Sequence, residues 1–116
     1  MRNNIRPDAR SIPMPVPYVG GILSGQGMLV GAFFGVAAMD AAQNAAVECE
    51  TRGEFELTKE AALAITQGAR VFWDNTNRRI TITATGNFQV GVATLAALAA
   101  DTIVRVMLAR VPPVGT

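Results

Sequence analysis

The 116-residue chain predicts an all-β (mainly β) fold, a small barrel or sandwich with one short helix. Three observations carry that expectation. Residues 70–93 run as strand, polar reversal, alternating strand, Gly-Asn break and strand, with no room for a helix. Residues 46–57 alternate apolar and charged with period two, as a strand with one wet face does. The strand candidates also follow one another too closely for the βαβ rhythm of a parallel sheet.

Taken in order, the surroundings of Val16 and Tyr18 form a first strand ended by Gly20-Gly21, and Ser24-Gly25-Gln26-Gly27 forms a loop. Residues 28–30 and 33–38 read as buried strands about Gly31-Ala32, followed by a turn at residues 40–44. In residues 46–51, Val47, Cys49 and Thr51 share the inward side and Glu48 and Glu50 the outward one; Phe55 and Leu57 repeat the pattern. Residues 58–67 are the best helix candidate: Thr58 caps, Ala61, Ala62, Leu63, Ala64 and Ile65 supply propensity, and Gly68 ends it. Strands at 70–73, 79–85, 88–93 and 101–108 complete a set of seven or eight, while residues 94–100 read equally as a turn of helix or a connector. Pro112-Pro113 stops the last strand.

The organisation expected is an extended N-terminal arm over residues 1–17, a β-rich domain over 18–111 and a short tail over 112–116. Half of the residues are apolar but aromatics are few, so the core must be built from small and aliphatic side chains, and oligomerisation is one remedy for a modest core. The arm carries Arg2, Arg6 and Arg10, and Pro13, Pro15 and Pro17 bias it away from helix. Residues 40–60 are acidic by contrast, and the two regions are ordinary solvated faces or meet across copies of the chain.

Residues 11–39 carry no charge, and the later part, residues 20–39, raises the question of a membrane span. Three prolines precede it, Ser24-Gly25-Gln26-Gly27 interrupts it, and the continuous apolar part at 28–39 is shorter than the roughly 20 residues a spanning helix needs. No membrane partner is expected. Pro7, Asp8 and Arg10 stand where a secretory signal would place its apolar core, so synthesis in the cytoplasm is expected.

Chemistry is scarce. The chain has no histidine, one lysine and one cysteine, and its serines at 11 and 24 lie in a proline-rich arm and a glycine loop, so no catalytic residue, cofactor or metal site is expected. Gly25-x-Gly27 is followed by valine at position 30 where a dinucleotide fingerprint needs glycine, and no Lys-Ser or Lys-Thr pair follows. Cys49 reads as a small core residue between two glutamates. Arg70, Arg78, Arg79, Arg105 and Arg110 read as solubility and packing, with one of the Arg78-Arg79 pair covering Trp73; a net charge of +1 gives no expectation of specific nucleic-acid binding.

Gly25-Gln26-Gly27-Met28-Leu29-Val30-Gly31, Phe34-Gly35-Val36-Ala37, Gly53-Glu54-Phe55-Glu56-Leu57-Thr58-Lys59, Gln67-Gly68-Ala69-Arg70-Val71-Phe72-Trp73-Asp74 and Gly91-Val92-Ala93, in that order, closely resemble a phage family of small capsid decoration, or cement, proteins. The likeness covers about residues 18–110. Some members bear a recombinase-like label, which would demand a nucleotide-binding loop this sequence lacks. The resemblance implies a virion protein that coats the outer surface of the expanded head, binds the phage major capsid protein and stabilises the shell, as a homo-oligomer with a trimer favoured. It carries over no catalytic residue. It maps Gly25, Gly27 and Gly31 onto turns or tight approaches, Phe55 and Leu57 onto a central strand, and Gly68, Val71, Trp73 and Asp74 onto a hairpin. Arg2, Ile5, Arg6 and Arg10, with Pro13, Pro15 and Pro17, are the expected capsid-binding arm. The alternative is a head-completion or tail-assembly module that binds another structural protein in few copies.

Overall fold

The computed structural model describes residues 11–109. Nine strands lie among them: β1 (Ser11–Pro15), β2 (Gly27–Val30), β3 (Phe33–Ala37), β4 (Ala46–Glu50), β5 (Glu54–Thr58), β6 (Arg70–Asp74), β7 (Arg79–Thr81), β8 (Phe88–Ala93) and β9 (Ile103–Leu108). They form two antiparallel sheets, ordered β1-β4-β3-β2 and β5-β9-β8-β6-β7. The second curls into a half-barrel whose outer strands meet where Lys59, just past β5, bridges Ile80 of β7 and the Glu60 N–H donates to the Ile80 carbonyl at 2.9 Å.

The two sheets are one structural unit used twice. In the first, edge strand β1 pairs with β4 through Ile12↔Cys49 and Met14↔Val47; in the second, β5 pairs with β9 through Phe55↔Val106 and Leu57↔Val104. Ile22 bridges Ala41 in the first, and Ile65 bridges Ala97 in the second. The hydrogen bonds repeat as well: Gly25 N–H to Ala37 O and Gly68 N–H to Ala93 O, Ala38 N–H to Glu48 O and Thr94 N–H to Arg105 O, all at 2.8–2.9 Å. The units differ chiefly in the link between their middle strands. A tight turn at Gly31-Ala32 joins β2 to β3, whereas the chain between β6 and β8 carries the added strand β7.

Each unit has its own core, and β3 belongs to both. Met14, Val16, Ile22, Met28, Ala37, Val47 and Cys49 pack in the first, while Leu57, Ile65, Val71, Trp73, Ile80, Val104 and Val106 are among those that fill the half-barrel. Period two along β3 sends Ala37 to the first cluster and Phe34 and Val36 to the second. Burying those two side chains stabilises the union of the halves by roughly 1.5–3 kcal/mol each.

The short helix predicted over 58–67 does not exist; no helix occurs among the described residues. Thr58 pairs with Ile103 as the last residue of β5, Lys59 N–H donates to Thr102 O, and Ile65 exchanges both of its backbone bonds with Ala97. Those groups are committed to other strands and cannot close i→i−4 bonds. The buried Lys59 ammonium donates to the carbonyls of Glu60 and Leu63, and Ala62 takes φ +59°. Alanine propensity of a few tenths of a kcal/mol per residue loses to tertiary pairing. Residues 94–100 likewise form bends and the Ala97 bridge, not a turn of helix. The first strand lies earlier than expected, at Ser11–Pro15, while β7 stops at Thr81.

Gly35 and Gly91 occupy the same place in the two units. A Cβ on Gly35 would sit 2.8 Å from Cys49 Cβ, and one on Gly91 would sit 2.2 Å from the Met107 carbonyl oxygen and 2.9 Å from Val106. Because the Gly91 obstacle is backbone of β9, Gly91→Ala is expected to lower unfolding stability in urea by about 1–3 kcal/mol, the usual range for overpacking. An unchanged midpoint would show that β8 and β9 are not held at this separation.

Candidate capsid-contact surface and the joint between the units

A hydroxyl joins the two halves. Tyr18 lies between β1 and β2, in the position that Ala61 holds in the second unit, and is buried. Its Oη donates to Asn75 Oδ1 at 2.6 Å and accepts from Trp73 Nε1 at 3.1 Å and Leu29 N–H at 3.2 Å, using the full donor and acceptor capacity of a phenol. Trp73 Nε1 also reaches Asn75 Oδ1 at 3.2 Å. The Trp73 ring lies against Phe34, centroids 5.0 Å apart and planes at 54°, and Gly27 gives it room: a Cβ there would stand 2.5 Å from Phe34 and 3.2 Å from Trp73.

Arg78 lies over Tyr18, 4.1 Å from the ring centroid, so the arginine expected to cover Trp73 covers a different ring. Asp74 organises the turn that places it. Asp74 Oδ1 accepts from Thr76 N–H and Asn77 N–H, and Oδ2 accepts from Asn77 Nδ2 at 2.8 Å. The Asn77 side-chain bond first, then the backbone bonds and Arg79 at 3.8 Å, hold the carboxyl below its ordinary pKa.

The other residues singled out by sequence fall around this joint or along the strands. Gly25, Gly31 and Gly68 take φ +88°, +58° and +86° in turns. Leu57 and Val71 are buried on β5 and β6, and Phe55 is half-buried on β5. Pro13 and Pro15 sit in β1, and Pro17 follows it; all three are exposed. Arg2, Ile5, Arg6 and Arg10 lie outside the described residues. The spacing of Pro13 and Pro15 has a geometric meaning. Val16 directs both backbone groups to the β4 side, donating to Ala45 O and accepting from Asn44 N–H, so by alternation the ring nitrogens of Pro13 and Pro15 face the free edge.

Burial, then the charge of Glu48, pushes the Cys49 thiol up to about 11, which keeps it protonated at neutral pH. No group of three or more potential metal ligands gathers among the described residues, and no helix among them is long and apolar enough to cross a membrane. Glu48 and Glu50 stand exposed on β4; Glu54 and Glu56 on β5 approach Arg105 at 3.8 and 3.5 Å, exposed pairs worth little.

The surface has one conspicuous apolar end. Ala61, Ala62, Leu98, Ala99 and Ala100 are all exposed around the Ile65↔Ala97 bridge, with Leu98 at 70%. Ala61, Ala62, Ala99 and Ala100 border a shallow depression of about 590 Å³ that Lys59 and Asp101 also line. The matching end of the first unit mixes the polar Asp40, Gln43 and Asn44 with exposed Val19, Leu23 and Met39. The same corner of the fold is thus mixed in one unit and mainly alanine in the other.

The fold is a twice-used β unit joined at Tyr18, with a buried thiol and an exposed alanine-rich corner. A scan of protein families matches residues 5–108 to the phage cement proteins, and the chain belongs to that family. It is a non-enzymatic head-decoration protein, associated with the virion and stabilising the capsid. Neither the curated proteins nor the solved structures searched contain a match.

Two outcomes test this geometry. Tyr18→Phe deletes one donor and strands Leu29 N–H, and is expected to cost about 1–3 kcal/mol in urea unfolding; equal stability of the two proteins would mean that the hydroxyl does not join the units. Asp74, with its folded pKa depressed, stabilises the fold fully above its unfolded value of about 3.9, and that contribution disappears as pH falls through the lower folded value. Asp74→Asn should therefore reduce stability at pH 7 and flatten its decline below pH 4. Parallel pH curves for the two proteins would remove Asp74 from the acid response.

Proposed function

We propose that the chain binds the outer surface of the expanded phage head, contacting the major capsid protein as a homo-oligomer with a trimer favoured, after synthesis in the host cytoplasm. The observation that carries this reading is the apolar corner of the second unit. Ala61, Ala62, Leu98, Ala99 and Ala100 stand exposed together there, with Leu98 at 70%, beside a depression that Lys59 and Asp101 also line. Small side chains admit a close approach of another backbone, with Asp101 the exposed charge at the rim. Either capsid or neighbouring-copy contact fits that corner.

The second element of the proposal is the arm. Arg2, Ile5, Arg6 and Arg10 precede β1, whose first residue pairs with Glu50 at the sheet edge. An extended segment attached there follows an intersubunit groove and adds charge-assisted contacts, with Pro13, Pro15 and Pro17 fixing its departure. Contacts that are weak singly become strong when an oligomer engages several equivalent sites, since every attachment after the first is intramolecular.

Purified protein mixed with expanded, undecorated heads should saturate many equivalent sites, with little binding to unexpanded proheads. Leu98→Glu, at an exposed position, should lower occupancy or oligomer size at unchanged thermal stability, and deletion of residues 1–10 should lower occupancy alone. A few copies per particle would favour a head-completion or tail module, and no binding would reject the decorating role on expanded heads.

A further inference from the structure

A groove of about 480 Å³ opens between the two sheets, walled by Phe33 and Phe34 from the first and Val90, Leu108 and Ala109 from the second, with Thr51 and Arg52 at its side. Phe33 is 54% exposed, an unusual position for a phenylalanine in a chain with so few rings. Ala109 both lines the groove and donates its N–H to Val90 O at 3.0 Å, so the chain is pinned at the rim where it enters residues 110–116.

Those residues are Arg110, Val111, Pro112, Pro113, Val114, Gly115 and Thr116. Adjacent prolines favour polyproline II, an extended helix without internal hydrogen bonds that docks on aromatic-lined grooves. With three residues per turn, Val111 and Val114 fall on one side of it, and the four residues 111–114 cover about 12 Å. We propose that this segment seats in the groove of its own chain, Val111 and Val114 turned toward Phe33 and Leu108. A direct tether sets an effective concentration in the millimolar range, which favours the chain's own tail over that of a second copy. Seated, it fastens the end of β9 to the β2–β3 turn and forms a second clasp between the units.

A thermodynamic cycle tests the contact, using the full chain, deletion of residues 110–116, Phe33→Ala and the combination. The deletion and Phe33→Ala are each expected to lower the melting midpoint by roughly 4 °C, and the combination by no more than the larger single effect. Val111→Ser with Val114→Ser in the full chain should reproduce the deletion, which keeps the test open should the shortened protein fold poorly. The coupling should not change over a hundredfold range of protein concentration. Additive shifts, or no shift, overturn the proposal. So does coupling that grows with concentration, which assigns the groove to a second copy, or coupling of Phe33→Ala to deletion of residues 1–10, which assigns it to the other end of the chain.

Discussion

The structure depends on one buried phenol. Two copies of a four-strand unit do not by themselves specify how they sit against one another, since apolar faces tolerate sliding. The Tyr18 hydroxyl removes that freedom, because it reaches Asn75, Trp73 and the Leu29 backbone together only in one arrangement. A buried polar group left without partners costs more than the net gain of a satisfied bond, so the network acts mainly by penalising the alternatives. Phe34 and Val36 supply the attraction and Tyr18 supplies the registry. The second unit, with Ala61 in the corresponding place, carries no such key, and its own open side receives Phe34 and Val36 instead.

Duplication also explains where small residues are spent. Gly35 and Gly91 leave room for the last strand of each unit beside the strand it pairs with, and they recur because that pairing recurs. Around that shared pairing the two units differ. The first carries the phenol and a corner of mixed character; the second carries β7, which closes the half-barrel through Ile80, and an alanine-rich corner.

Strand placement was legible wherever period two was clean. Glu48 and Glu50 against Val47 and Cys49, and the run from Arg70 to Ala93, gave strands that the structure places within a residue or two, apart from β7, cut short at Thr81. The sequence predicts a helix at 58–67 because alanine propensity is visible in it and a bridge between Ile65 and Ala97 is not; nor does a lone lysine announce that it will donate to carbonyls in a turn. The repeat was nearly silent. Its plainest trace is Gly-Val-Ala at positions 35–37 and again at 91–93, and the different links between middle strands break the spacing that would have exposed it. Trp73 and Gly27 were visible as motif positions, whereas Tyr18 and Asn75, which complete the joint, had no pattern to mark them, because their partnership spans 57 residues of chain.

The sheet edges explain how such a protein can crowd a surface without polymerising. Copies held side by side on a shell experience a high effective concentration, and open strand edges under those conditions would template pairing between chains. Each edge here is managed by a different device. Pro13 and Pro15 remove donors from the free side of β1. Tyr18 Oη caps the outward Leu29 N–H of β2. The outer strands of the half-barrel, β5 and β7, close on each other through Lys59 and Ile80. With backbone pairing suppressed at three sides, association must run through side-chain surfaces, where small differences in shape and charge can discriminate a capsid lattice from another copy in solution. Under that constraint an exposed corner built from alanines matters, because it offers side-chain surface without offering a strand edge.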